Sequence, residues 1–124
     1  MAEYRTDSLS DACVIEVRGE IDISNVAELT RRVLESLADG ETAIVLDLYN
    51  VTHLDSSGLS AVISAQQQIS ETPGGKLALV LDRTRLWRTF ELRGLLAVFL
   101  IADSREAALA ALRDPGESAV RPPA

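Results

Sequence analysis

The chain has 124 residues, 47% of them apolar, with one cysteine and a formal net charge of −7. That length suits a single domain, which buries roughly two-thirds of its unfolded surface and so needs no disulfide or metal to hold it. A lone Cys13 excludes an intramolecular disulfide. No apolar run nears the roughly 20 residues that span a bilayer, and an acidic balance disfavours nucleic acid, whose phosphates need clustered Lys and Arg.

In chain order, "EYRTDS" (residues 3–8) is an edge-strand candidate. "CVIEVRGE" (13–20) is a strand, with Cys13, Ile15 and Val17 on one side and Val14, Glu16 and Arg18 on the other. Val26, Leu29, Val33 and Leu37 recur at helical spacing, with Leu34 widening the stripe. Ser24 is its expected N-cap and Gly40 its stop. "TAIVLDL" (42–48) is apolar and β-branched, as a strand covered on both faces is.

"VTHLDSSGLSAV" (51–62) then reads as an apolar loop end, a polar helix mouth and the start of a helix over about 56–70, marked by Leu59, Val62, Ile63 and Ile69. Pro73, Gly74 and Gly75 make a turn, and "KLALVL" (76–81) a buried strand. Leu86, Trp87 and Phe90 mark a short helix ended by Gly94. "LAVFLIA" (96–102) is the expected last strand and "SREAALAALR" (104–113) the last helix, capped by Ser104. Residues 114–124, ending "PGESAVRPPA", have almost nothing to bury and are expected to be a disordered tail behind a domain of residues 1–113. The order β-β-α-β-α-β-α-β-α predicts an α/β fold: a mixed, mostly parallel sheet of about five strands flanked by about four helices.

Most catalytic patterns fail. Gly75-Lys76 lacks the hydroxyl residue of a phosphate-binding loop, because Leu77 follows, and Ser70 stands where its first glycine belongs. Asp47 follows an apolar strand but has Tyr49, not a second carboxylate, two residues on, so it reads as a strand-end residue. His53, Asp55 and Ser57 sit too close along one stretch to converge as a triad, which needs groups from separate elements. His53 reads as a loop residue or a partner contact. One His and one Cys, forty residues apart, make no metal site, and Cys13 reads as a small core residue. Arg83, Arg85, Arg88 and Arg93 form the most basic segment, either a solvated face or a patch for an acidic partner.

The helix mouth remains. Asp55 or Ser56 can accept from its free N–H groups, which explains one of Asp55, Ser56 and Ser57. Gly58 in the first turn costs up to about 1 kcal/mol relative to Ala, and its missing side chain suggests room for a visitor to approach Ser57. A phosphate on Ser57 would sit at the positive end of a helix and add roughly −1.5 to −2 charges, altering what binds and not what folds. The residues alone leave capping and switching open.

"VIEVRGEID" and a helix, then "AIVLDLYNVTHLDSSGLSAV", then "TFELRGLLAVF", resemble the STAS domain of bacterial anti-sigma factor antagonists over residues 3 to about 112. The resemblance implies a cytoplasmic α/β protein that takes part in stress-responsive transcription regulation by partner switching. It is not itself an enzyme and carries no cofactor. Unphosphorylated, such a protein binds an anti-sigma factor that is also a serine kinase of the ATPase type and so frees a sigma factor. Phosphorylation inactivates it, and a serine phosphatase restores it. Carried over, Ser57 is the phosphoacceptor, and Asp22, Asp55, Ser56 and Gly58 are partner-surface positions, joined by His53, which departs from the family's usual apolar residue. Arg93 also departs, from a small hydroxyl residue. The resemblance leaves a second reading, an accessory subunit of a lipid-transport ABC system in which Ser57 only caps a helix. A third, a subunit of a large stress-signalling assembly, calls for a sensor domain that 124 residues do not hold. Neither nucleic acid nor membrane is an expected partner, and a monomer is the expected state.

Overall fold

The computed structural model of the protein describes residues 1–113; the expected tail, 114–124, lies outside the described residues. Five strands and four helices alternate as β1 (Ala2–Ser8), β2 (Cys13–Ile21), α1 (Val26–Ala38), β3 (Ala43–Leu54), α2 (Ser56–Ser70), β4 (Lys76–Val80), α3 (Trp87–Leu92), β5 (Leu100–Ala102) and α4 (Arg105–Arg113). The sheet runs β1-β2-β3-β4-β5. The β1–β2 hairpin is antiparallel, and every later pair is parallel, joined through a helix.

Two unequal cores flank the sheet. Cys13, Ile15 and Val17 of β2, Ile44, Leu46 and Leu48 of β3, and Leu77 and Leu79 of β4 pack under Leu29 and Val33 of α1, Leu59, Val62 and Ile69 of α2, and Phe90 of α3. On the other face Val14, Val45, Ala78, Val80 and Ala102 meet only α4, through Ala108, Leu109 and Leu112. A strand covered twice must be apolar throughout, which is why "AIVL" shows no alternation. Gly40 ends α1 with φ at 91°, its N–H donating to the Leu37 carbonyl at 3.0 Å. Cys13 is a core residue, its thiol 3.4 Å from the Ser36 hydroxyl, and burial raises its pKa.

Several expectations need correction. Asn25, not Ser24, sits at the mouth of α1; the Ser24 amide and hydroxyl both donate to Asp22 Oδ1. Leu34 and Ile63 face outward and widen no core stripe. The last strand is three residues long, not seven. The apolarity of Phe99 serves an edge-to-face contact with Phe90, at 5.8 Å between ring centroids, and the Val98 carbonyl accepts from Gln66 Nε2.

The largest correction concerns β3. It runs through "VTHL" to Leu54, so His53 is a strand residue, registered opposite Glu20. Two register shifts against β2 insert extra residues and stretch the core-facing spacing from 44, 46, 48 to 48, 51, 54. Asp47 is no strand end either. It lies buried in mid-strand, where its carboxylate accepts from Arg105 Nη2 at 3.1 Å and from the Tyr49 amide.

Candidate functional site: the mouth of helix α2

β2 and β3 end side by side, with Ile21 registered to Leu54 and the Asp55 amide donating to the Ile21 carbonyl at 3.2 Å. Asp22 and Asp55 therefore leave neighbouring strand ends together. Asp55 has the extended backbone of an N-cap and its Oδ1 accepts from the Gly58 amide at 2.9 Å, while its carbonyl accepts from Leu59. The same Oδ1 accepts the Ser57 hydroxyl at 2.6 Å. One carboxylate thus caps the helix and holds the serine.

The Ser57 hydroxyl donates its hydrogen bond to Asp55, not to His53, so there is no Ser-His relay. What the arrangement offers is an accessible, oriented hydroxyl: Ser57 is half-buried, Ser56 and His53 are exposed, and the Oγ lone pairs stay available as an acceptor of a transferred group. Asp22 is tied to its own loop, through Ser24 and through an amide that donates to Asn25 Oδ1. The Ser24 hydroxyl, and then its amide, hold the Asp22 carboxyl below the ordinary value, outweighing the smaller repulsion from Asp55.

Gly58 is placed differently from the sequence expectation of room for a visitor. It is buried, and a Cβ there would lie 2.6 Å from Leu54 Cδ1 and 3.0 Å from Ile21 Cγ2. Its missing side chain lets the first turn of α2 close onto the ends of β2 and β3. The sequence reading also missed Ile23, which is 79% exposed between Asp22 and Ser24. Its only signal was an isoleucine belonging to neither neighbouring periodicity.

The Asp55 carboxyl is held below the ordinary 3.8, first by the Ser57 hydroxyl and then by the Gly58 amide, with further help from the Ile23 and Ser57 amides. A depressed folded pKa makes this contribution to stability complete above the unfolded value and lost as pH falls through the folded one. Ser57→Ala removes the leading cause, so the Asp55 midpoint followed by carboxyl NMR should rise toward 3.8. An unchanged midpoint would mean the hydroxyl does not hold the carboxylate in solution.

Fold and site together define a small mixed-sheet α/β domain that presents a carboxylate-held serine at an exposed helix mouth. The model of the STAS domain matches residues 3–108, and the chain belongs to that family. It is 31% identical over 100 residues to the anti-sigma-F factor antagonist RsfB of Mycobacterium tuberculosis, covering 81% of this chain and 80% of the relative. An anti-sigma factor antagonist from Mycobacterium paratuberculosis superposes with a TM-score of 0.83 at 26% identity, covering 92% of this chain and 96% of that one. The phosphorylated form of the Bacillus cell fate determinant SpoIIAA shares the fold, with a TM-score of 0.69 at 21% identity, over 90% of this chain and 100% of that one. No helix among the described residues is long and apolar enough to cross a membrane, and no cluster of His, Cys, Asp and Glu there suits a metal ion.

Proposed function

We propose that the protein is a phospho-switched anti-sigma factor antagonist. Unphosphorylated, it binds an anti-sigma factor that is also a serine kinase of the ATPase type, and a sigma factor is released in the cytoplasm. The kinase transfers phosphate to Ser57 and ends the interaction; a serine phosphatase reverses this. The protein is the substrate in both reactions and catalyses neither. The observation that carries the reading is the Ser57 hydroxyl held 2.6 Å from Asp55 at an accessible helix mouth. Asp22, Asp55, Ser56 and His53 form the contact surface around it, and Gly58 contributes by letting the helix mouth close.

The test is the intact mass of the protein isolated from growing and from stressed cells of its own source, with the modified peptide mapped. A single phosphate on Ser57 whose occupancy changes with condition supports the reading. An unmodified protein recovered with a membrane ATPase would replace it with the transporter-subunit role. Ile23 supplies a second check. An apolar side chain this exposed beside the acceptor is placed as a contact anchor, and burying an aspartate there on binding costs about 2 kcal/mol or more. Ile23→Asp should weaken kinase binding by over tenfold in calorimetry with the fold intact.

A further inference from the structure

The site at Ser57 leaves the basic segment unexplained. Residues 82–93 carry four arginines against Asp82 and Glu91, in a chain whose net charge is −7. Elsewhere among the described residues the guanidiniums are occupied: Arg5 by Asp7, Arg18 by Glu16, Arg31 and Arg32 by Glu28, Arg105 by Asp47, Arg113 by Asp11. Among the described residues, no carboxylate lies within ion-pair distance of Arg83, Arg88 or Arg93, and Arg85 reaches Asp82 only at 3.8 Å. The Asp82 Oδ1 accepts from the amide and hydroxyl of Thr84, which leaves Oδ2 to face Arg85.

The apolar side chains of the segment divide in two. Leu86 and Phe90 are buried and fix α3 to the core. Leu92 is 71% exposed, and Trp87 is half-buried, its outer face covered by the Arg83 guanidinium 4.5 Å from the ring centroid. Arg88 and Leu92 stand four residues apart on one exposed side of α3, and Arg85 lies exposed in the turn that leads into it. Exposed cations flanking an exposed leucine in one short segment, on an otherwise acidic protein, are what an acidic protein segment with an apolar anchor would complement.

We propose that α3 and its flanks are a second docking surface, which takes an acidic segment of a partner protein: its carboxylates meet Arg85, Arg88 and Arg93, and an apolar side chain packs on Leu92. Arginine suits this role, since its fixed fork pairs with a carboxylate through two hydrogen bonds and stacks on an aromatic face. A nucleic acid fits less well. It brings no aliphatic side chain to Leu92, and the rest of the acidic chain repels a long polyanion. The surface lies on a different element from Ser57, and its test does not involve phosphorylation.

Trp87 is the only tryptophan in the chain and stands next to Arg88 and under Arg83, so its emission reports on the segment. A short peptide of alternating Glu and Leu pairs should shift Trp87 emission on titration into the full-length protein at low salt. Affinity should fall as salt is raised. The double reversal Arg88→Glu and Arg93→Glu should lower peptide affinity by about tenfold or more, as opposed charges become like charges, with an unchanged circular dichroism spectrum. Glu91→Gln, which removes the exposed carboxylate from the patch and touches no core residue, should raise it. Peptide binding that ignores all three substitutions overturns the proposal. So does a single-stranded oligonucleotide or a phosphatidylserine vesicle that binds more tightly than the peptide, or a basic patch satisfied by self-association in sedimentation.

Discussion

Ser57→Asp should lower affinity for the proposed kinase partner by about tenfold or more while shifting the thermal midpoint by only about 2 °C. The two halves of that result come from different places. Within the fold the substitution loses the 2.6 Å bond to Asp55 and sets a second carboxylate beside it. Both carboxylates stand at the start of α2, where an acid gains about 0.3–1 kcal/mol from the helix dipole, so the losses and the gain nearly cancel. At the contact surface nothing cancels. On the proposed reading, a partner face that fits a neutral hydroxyl beside Asp55 would meet an added negative charge, and like-charge juxtaposition costs several kcal/mol there. Ser57→Ala should bind close to wild type and accept no phosphate. Calorimetry of both variants against the purified kinase, with thermal melts, checks the pair. Equal affinity of Ser57→Asp and wild type would sink the switch.

The helix mouth was legible because its signal is local. Asp55, Ser56, Ser57 and Gly58 are consecutive, and capping chemistry acts within one turn. The Gly40 stop, the Ser104 cap, with its oxygen accepting from the Ala107 amide at 3.1 Å, and the order of strands and helices were readable for the same reason. What stayed hidden was non-local. The bulges in β3 turn the spacing of Leu48, Val51 and Leu54 into threes, which is no strand period, so "VTHL" looked like a loop. The reason for Gly58 lies in Leu54 and Ile21, one of them on another strand. The "LAVFLIA" run read as a long strand because apolarity cannot tell a strand from a loop that packs on Phe90.

Asp47 and Arg105 illustrate the same limit, and the largest stability effect attaches to them. They are 58 positions apart, and only the fold joins them, where α4 crosses the smaller core. Arg105 also lies 3.6 Å from Glu16 and 3.7 Å from Asp7, but those carboxylates have Arg18 and Arg5 as well. Asp47 has Arg105 alone among the described ion pairs, and its side chain is only 9% exposed. Arg105→Met keeps the length and the apolar stem and removes the charge. It strands a buried carboxylate, which costs about 3–5 kcal/mol at a fully buried site and about 2–3 here, since the Arg105 side chain is 31% exposed. For a domain of this size that is a fall of about 10 °C in thermal midpoint. Asp47→Asn in the same chain keeps an acceptor for the Tyr49 amide and removes the stranded charge, so the double variant should be more stable than Arg105→Met alone, with a coupling of about 1 kcal/mol or more in a urea-denaturation cycle. An Arg105→Met protein that melts with the wild type would mean that water reaches Asp47, and that α4 is held by Ala108, Leu109 and Leu112 alone.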